Sequence, residues 1–196
     1  MALSYPISTP TTIGIESITI RPFNATAKTS SPFSYQEQVY SWGGQAWSAE
    51  VTIPAVKRDL SAEWVSFLVS LKGQEGTFLL GDPNYAEPRG TATSVSVSGS
   101  LASDTITVGS INGTLLKGDY IQLGGGSSAK LHMVLEDISG TGTYNVWPNL
   151  RSTYSSEAGV LSSPKGVFRL DQSNQEWGID SNSQYALSFS AREVIT

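Results

Sequence analysis

The carboxylates close enough in sequence to act together are Glu136-Asp137, Asp59 with Glu63, and Asp82 with Glu87, residue types suited to general acid/base work. Adjacent strand residues point to opposite faces, so Glu136 and Asp137 cannot share a substrate. Asp59 stands where a helix begins and complements its dipole. Asp82, followed by Pro83, forms a turn. The single histidine, His132, lies in the strand-like run KLHMVLED and is expected to be a half-exposed strand residue. No Gly-x-Ser-x-Gly elbow accompanies it. The run from Gly124 to Lys130 has the glycines of a phosphate loop but not its Gly-Lys-Ser/Thr ending, and it leads into a strand, so a hairpin loop is expected. Asp180, Asn182 and Gln184 alternate without the calcium-loop pattern and fit a solvated turn. Cysteine is absent, which excludes disulfides and thiolate chemistry. No catalytic residue, cofactor site or metal ligand set is expected, and no enzyme activity.

Aromatic side chains offer another chemistry, because sugars stack on Trp and Tyr. Tyr144, Trp147 and Tyr154 lie together in YNVWPNLRSTY, with Asn145, Asn149 and Arg151 to donate hydrogen bonds, and form a possible glycan contact. Alternatively Trp147-Pro148 closes the end of a small barrel, since Trp is more often core than ligand platform. A second group, Phe33, Tyr35, Val39, Tyr40 and Trp42, sits in a Ser/Thr/Gln-rich stretch with too few apolar neighbours to be buried locally. It reads as a hairpin or arm covered by another subunit, a possible oligomer interface.

The elements that carry these residues are mostly strands. With 196 residues, 39% hydrophobic and 15% charged, the chain can bury a substantial core in one or two domains. A net charge of −5 and no basic cluster longer than Lys57-Arg58 argue against a nucleic-acid binder. No apolar run approaches the roughly 20 residues that span a bilayer. The opening MALSYPISTP lacks the features of a signal peptide, so folding in a cytoplasm is expected.

One helix is expected after Leu60, with Leu60, Trp64, Phe67, Leu68 and Leu71 on one face, Ser61 as its cap, and Gly73 as a left-handed terminator. That face needs a sheet to cover. SITIRPF reads as a strand ending at Pro22. Trp47, Ala49, Val51 and Ile53 alternate with polar residues as a half-buried strand beginning after Gly43-Gly44. Thr77 to Leu80 is a short strand before the Gly81-Asp82-Pro83-Asn84 turn. From Gly90 the texture becomes small, uncharged and alternating, with Gly-rich turns between short strands at 106–108, 119–123, 129–135 and 143–147. Apolar density returns after Lys165, with strands at Val167 to Leu170, Trp177 to Ile179 and Tyr185 to Ala191. The expected fold is mainly β with one helix: a discontinuous β-sandwich over 1–89 plus 165–196, and an inserted small β-barrel over 90–164.

The stretch FSYQEQVYSWGGQAWSAEVTIPAVKRDLSAEWVSFLVSLKGQEGTFLLGDP resembles the N-terminal region of distal tail proteins of long-tailed, siphovirus-type bacteriophages and prophages. The similarity continues through LKGDYIQLGGGSSAKLHMVLED, VWPNLR and KGVFRL, from about Phe33 to Leu170. These are packing and turn motifs. The resemblance implies a β-sandwich with a helix, and a second β domain that in some members is an oligonucleotide/oligosaccharide-binding-like barrel. It implies a virion protein of the tail tip that forms a ring, usually a homo-hexamer, joining the tail tube protein to the tail-tip hub protein or baseplate. The tape-measure protein and the DNA pass through the ring in transit, and no membrane insertion is implied. An acidic lumen would repel phosphates and let the genome slide. A host-receptor, carbohydrate-binding module of a tail tip is the alternative, although no long C-terminal segment is available to carry a large one.

Overall fold

Alternation decides which side of the main sheet is dry. The computed structural model describes residues 3–195, with 50% strand and 8% helix. In β3 (Glu37–Lys57) the side chains of Trp47, Ala49, Val51 and Ile53 are buried while Glu50 and Thr52 are exposed. β13 (Gln184–Glu193) pairs antiparallel with it and buries Leu187, Phe189 and Ala191 on the same side. Around them lie β1 (Ile7–Ser8), β2 (Ser17–Ser30), β4 (Phe78–Leu80) and β11 (Gly166–Leu170), in the order β1-β4-β11-β13-β3-β2. The short β12 (Trp177–Ile179) pairs with β13. Only the β1–β4 contact is parallel among these pairings.

Helix α1 (Arg58–Ser70) follows β3 without a loop and covers the dry face. Trp64, Phe67, Leu68 and Leu71 pack with Ile53, Phe78 and Phe189, and the ring centres of Phe67 and Phe78 are 5.4 Å apart. The Trp64 indole N–H donates to the Ile13 carbonyl at 3.2 Å, which ties down the segment before β2. Two expectations about the helix fail. It starts three residues before Ser61, with Lys57 as cap residue and no side-chain cap bond, so Ser61 lies inside the first turn and its hydroxyl donates to the Arg58 carbonyl. Leu60, placed on the buried face by its angle, is in that first turn directly after β3 and remains exposed. The helix ends in two left-handed residues, Lys72 and Gly73, as the Gly73 terminator requires.

β2 does not stop at Pro22. It is the edge strand, where a missing N–H costs no ladder bond if that side faces solvent, and it runs on to Ser30. β3 likewise begins before Gly43-Gly44, which lie at a shift in its pairing with β2 rather than at its start.

A second, six-stranded sheet uses β5 (Ser94–Gly99), β6 (Thr105–Asn112), β7 (Tyr120–Leu123), β8 (Lys130–Val134), β9 (Gly142–Trp147) and β10 (Tyr154–Gly159). Their order is β10-β5-β6-β9-β8-β7. The two ends nearly meet: Gln122 of β7 and Val160, just past β10, exchange backbone hydrogen bonds at 3.0 and 2.9 Å. The sheet therefore curls almost into a barrel around Val97, Ile106, Val108, Leu115, Ile121, Leu123, Val134 and Ile138, which leaves few unpaired edges. β10 has no counterpart in the sequence reading, because YSSEAG is too polar to show a buried face.

The chain enters this sheet through a short strap held by one carboxylate. Asp119 is fully buried and accepts backbone N–H groups from Arg89 at 3.0 Å, Gly90 at 3.3 Å and Leu116 at 2.8 Å. A side chain at Gly90 would collide with the Thr114 carbonyl oxygen at 2.0 Å, so the strap can lie this close only as glycine. On the way out, Ser163 N–H donates to the Ala86 carbonyl at 2.8 Å, beside the entering chain.

Candidate functional site

Past the last pairing of β13 with β3, at Arg192 opposite Ser48, β2 and β3 continue as a two-stranded ribbon with no third strand. From Asn24 to Ser30 the ribbon extends for about 23 Å at ~3.3 Å per residue. Its tip is a tight turn in which Tyr35 N–H bonds the Ser31 carbonyl at 2.9 Å, and the Ser31 hydroxyl accepts from the Phe33 and Ser34 amides. The root carries an irregularity: between the pairs Asn24 with Gln45 and Thr26 with Ser41, one residue of β2 opposes three of β3. Gly43 takes a left-handed φ of 70° there, a conformation suited to a bulge that bends and re-aims a ribbon.

The ribbon is apolar where nothing covers it. Phe33 is 96% exposed and Tyr35 83%, while Val39, Tyr40 and Trp42 each expose more than half of their surface. Tyr40 and Trp42 stand edge to face at 5.1 Å, two residues apart on one side. Val39 occupies the other side, opposite Lys28, beside the exposed Lys28–Glu37 ion pair. An isolated two-stranded hairpin is marginal in water. One that shows aromatic residues to solvent on one face and at its tip, and an aliphatic one on the other face, has the form of a surface made for contact.

The second sheet grips the root of this arm. The Trp147 indole N–H donates to Asn24 Oδ1 at 3.0 Å, the Asn149 amide to Gln45 Oε1 at 2.7 Å, and Arg151 Nη2 to the Gln45 carbonyl. Arg151 also faces Glu193 at 3.4 Å, and Glu193 Oε2 accepts the Trp47 amide at 3.2 Å. Glu193 is the fourth inward position of β13 after Leu187, Phe189 and Ala191, so its carboxylate is buried. Burial pushes its pKa up, against the pull of Arg151 and the Trp47 amide. Lys130 donates to the Val194 carbonyl at 2.7 Å, and burial pushes its pKa down.

His132 belongs to the same cluster and is buried, contrary to the half-exposed position expected from its strand. Both faces of β8 are covered, one by each core. Nδ1 lies 2.8 Å from the Pro148 carbonyl, which can only accept, so Nδ1 carries the proton. Burial is the main force lowering the His132 pKa to about 4, and the positive charges of Arg151 and Lys130 add to it.

Tyr144, Trp147 and Tyr154 do not form a common platform. Tyr144 packs against the second core and donates to the Gly140 carbonyl, and Tyr154 is buried in that core. Trp147 packs edge to face on Trp47 at 4.3 Å, against the first core. The carboxylates take structural roles: Glu136 accepts from the Asn145 amide, Asp137 from the Lys117 amide, Asp82 from the Asn84 amide, and Asp180 from the Asn182 and Gln184 amides. A polar cleft of about 590 Å³ lies on the wet side of the main sheet beside Gln172 and Glu176. Its Glu50 is held by Arg21 at 2.7 Å. Among the described residues no group of three or more His, Asp or Glu side chains is placed to hold a metal, and no helix is long and apolar enough to cross a membrane.

Trp147, Asn149 and Arg151 stand together in the sequence and read there as a possible glycan contact, whereas their bonds run to Asn24 and Gln45 of the arm root, partners that nothing in the sequence indicates. Glu193 carried a signal of its own, as a charged residue on the buried phase of an alternating strand. No protein-family model matches the chain, and a search of curated proteins finds no match.

Proposed function

We infer that the chain is a structural ring subunit whose arm binds a neighbouring copy of itself. The observation that carries this reading is the two-stranded arm with Phe33, Tyr35, Val39, Tyr40 and Trp42 exposed. Covering five such side chains is worth about 10 kcal/mol at ~2 kcal/mol each. Association costs about 4–15 kcal/mol, a range that brackets that gain, so one arm contact alone holds a pair only weakly. A head-to-tail ring changes that balance, because closing it adds one contact without another full loss of freedom.

The resemblance in motif order makes this ring a distal tail protein, usually hexameric. It joins the tail tube to the tail-tip hub or baseplate and leaves a channel for the tape-measure protein and DNA. The place of action is then the virion, after assembly in the host cytoplasm. No catalysis or cofactor enters this role, and the net charge of −5 suits a channel that must not hold DNA. Negative-stain imaging of the purified protein, alone and mixed with tail tube protein, tests the proposal. Annular particles that stack on tube ends are expected. A monomer that neither closes into rings nor binds tubes would refute it.

A further inference from the structure

We propose that the cluster of Arg151, Glu193, Lys130 and His132, with the Trp147–Arg151 strap, is a latch that fixes the direction of the arm relative to the main sheet. The strap reaches the arm root through Asn24 and Gln45, which pair with each other as the last rung on the main-sheet side of the bulge. Apart from the β2–β3 ladder and the Arg192 guanidinium over the Phe23 ring at 5.7 Å, this grip is what ties the arm root to the rest of the fold.

The cluster is built poorly for stability. His132 Nε2, Arg151 Nε and Glu193 Oε1 are buried with no protein partner, and a partly satisfied buried network generally stabilises less than apolar packing of the same volume. What such a network does supply is one preferred geometry. Arg151 reaches both Glu193 and the Gln45 carbonyl with the same Nη2, so the arm root and the last residue of β13 are set by one guanidinium. Losing Arg151 therefore loosens the arm root, which keeps only the Trp147–Asn24 and Asn149–Gln45 bonds, while leaving both cores in place. The purpose of a fixed arm, presenting its aromatic faces at one angle to the next subunit, rests on the ring reading above. The latch itself does not.

Because the chain has no cysteine, spin labels can be placed at Ser34→Cys on the arm tip and Glu63→Cys on the exposed side of α1. Pulsed dipolar spectroscopy then reads the arm-to-sheet distance in dilute, monomeric protein. The parent should give one narrow distribution. In Arg151→Met/Glu193→Leu, which replaces the ions by apolar volume, the unfolding midpoint should hold while the distribution broadens roughly twofold or more. A folded variant with the parent's narrow distribution would overturn the latch. If that variant does not fold, Asn24→Ala/Gln45→Ala/Arg151→Lys decides instead, since it removes both side-chain acceptors of the strap and leaves a single ammonium, in place of the guanidinium that bridges the Gln45 carbonyl and Glu193, to keep the charge: broadening supports the latch and an unchanged width refutes it. Light scattering on the unlabelled parent reports ring formation separately, so a failure of the ring reading is distinguishable from a failure of the latch.

Discussion

Acidification should cost this fold about 3 kcal/mol through His132 alone. The folded state holds the imidazole neutral, with a pKa near 4, whereas the unfolded chain protonates it at the ordinary 6.5. Each pH unit between those values is worth about 1.4 kcal/mol, and the unfolded state binds more protons throughout that interval. Stability is thus fully present above about pH 6.5 and is lost progressively as pH falls toward about 4. Glu193 acts with the opposite sign. Its raised pKa means the folded state takes up a proton first, so stability recovers as pH falls from that raised value toward the ordinary 4.5. The two contributions are separated by comparing urea unfolding of the parent and His132→Phe across the same pH series, followed by tryptophan fluorescence. His132→Phe starts less stable, having lost the bond to Pro148, but its dependence on pH should be flatter by about 3 kcal/mol between neutral and pH ~4. As the single histidine, His132 also gives one imidazole signal in a proton NMR titration. A midpoint near 6.5, or parallel pH profiles for parent and variant, would refute this account of the cluster.

Trp64→Ala should cost roughly 3–5 kcal/mol in the same denaturation assay, because Trp64 is 1% exposed and packs on Phe67 and Phe189. A normally stable variant that fails only to assemble would instead put that face at an interface. Asp119→Ala leaves two backbone N–H groups of the entry strap and that of Leu116 without their acceptor, and about 1–3 kcal/mol for each unsatisfied group should make the second sheet the first region to lose amide protection in hydrogen exchange. Asp119→Asn, which keeps one oxygen, should lie between it and the parent. Deleting residues 24–41 should leave a folded monomer, and a ring of unchanged size after that deletion would remove the arm from the intersubunit contact.

The parts of the fold that were legible in the sequence are those in which one strand or helix declares its own face. The alternation at Trp47 to Ile53 and at Tyr185 to Ala191, and the helical spacing of Trp64, Phe67, Leu68 and Leu71, each mark a buried side without reference to any partner. The arm was legible for the converse reason, since its apolar residues had no neighbours to bury them. The helix start was misread because Ser61 has the chemistry of a cap, while β3 passes directly into the helix at Arg58 and needs no capping side chain. β2 was cut short because Pro22 ends a strand only where its N–H is needed, and edge position is a property of the whole sheet. The latch was illegible for a deeper reason. Arg151 is 106 residues from Gln45 and 42 from Glu193, and it meets them only across the two sheets, a contact no local pattern announces. His132 was misjudged by the same route, since its strand gains a second covered face only when the two cores come together.

An arm that serves as an intersubunit surface sets the mass of the intact protein, read by size-exclusion chromatography with light scattering beside that of Tyr40→Ser/Trp42→Ser. These two side chains face solvent and bear no part of either core, so the variant should fold as the parent does. The parent is expected to elute as a closed oligomer, alone or on addition of tail tube protein, and the variant as a monomer under the same conditions. Equal masses for the two, whether both monomeric or both assembled, would contradict the account.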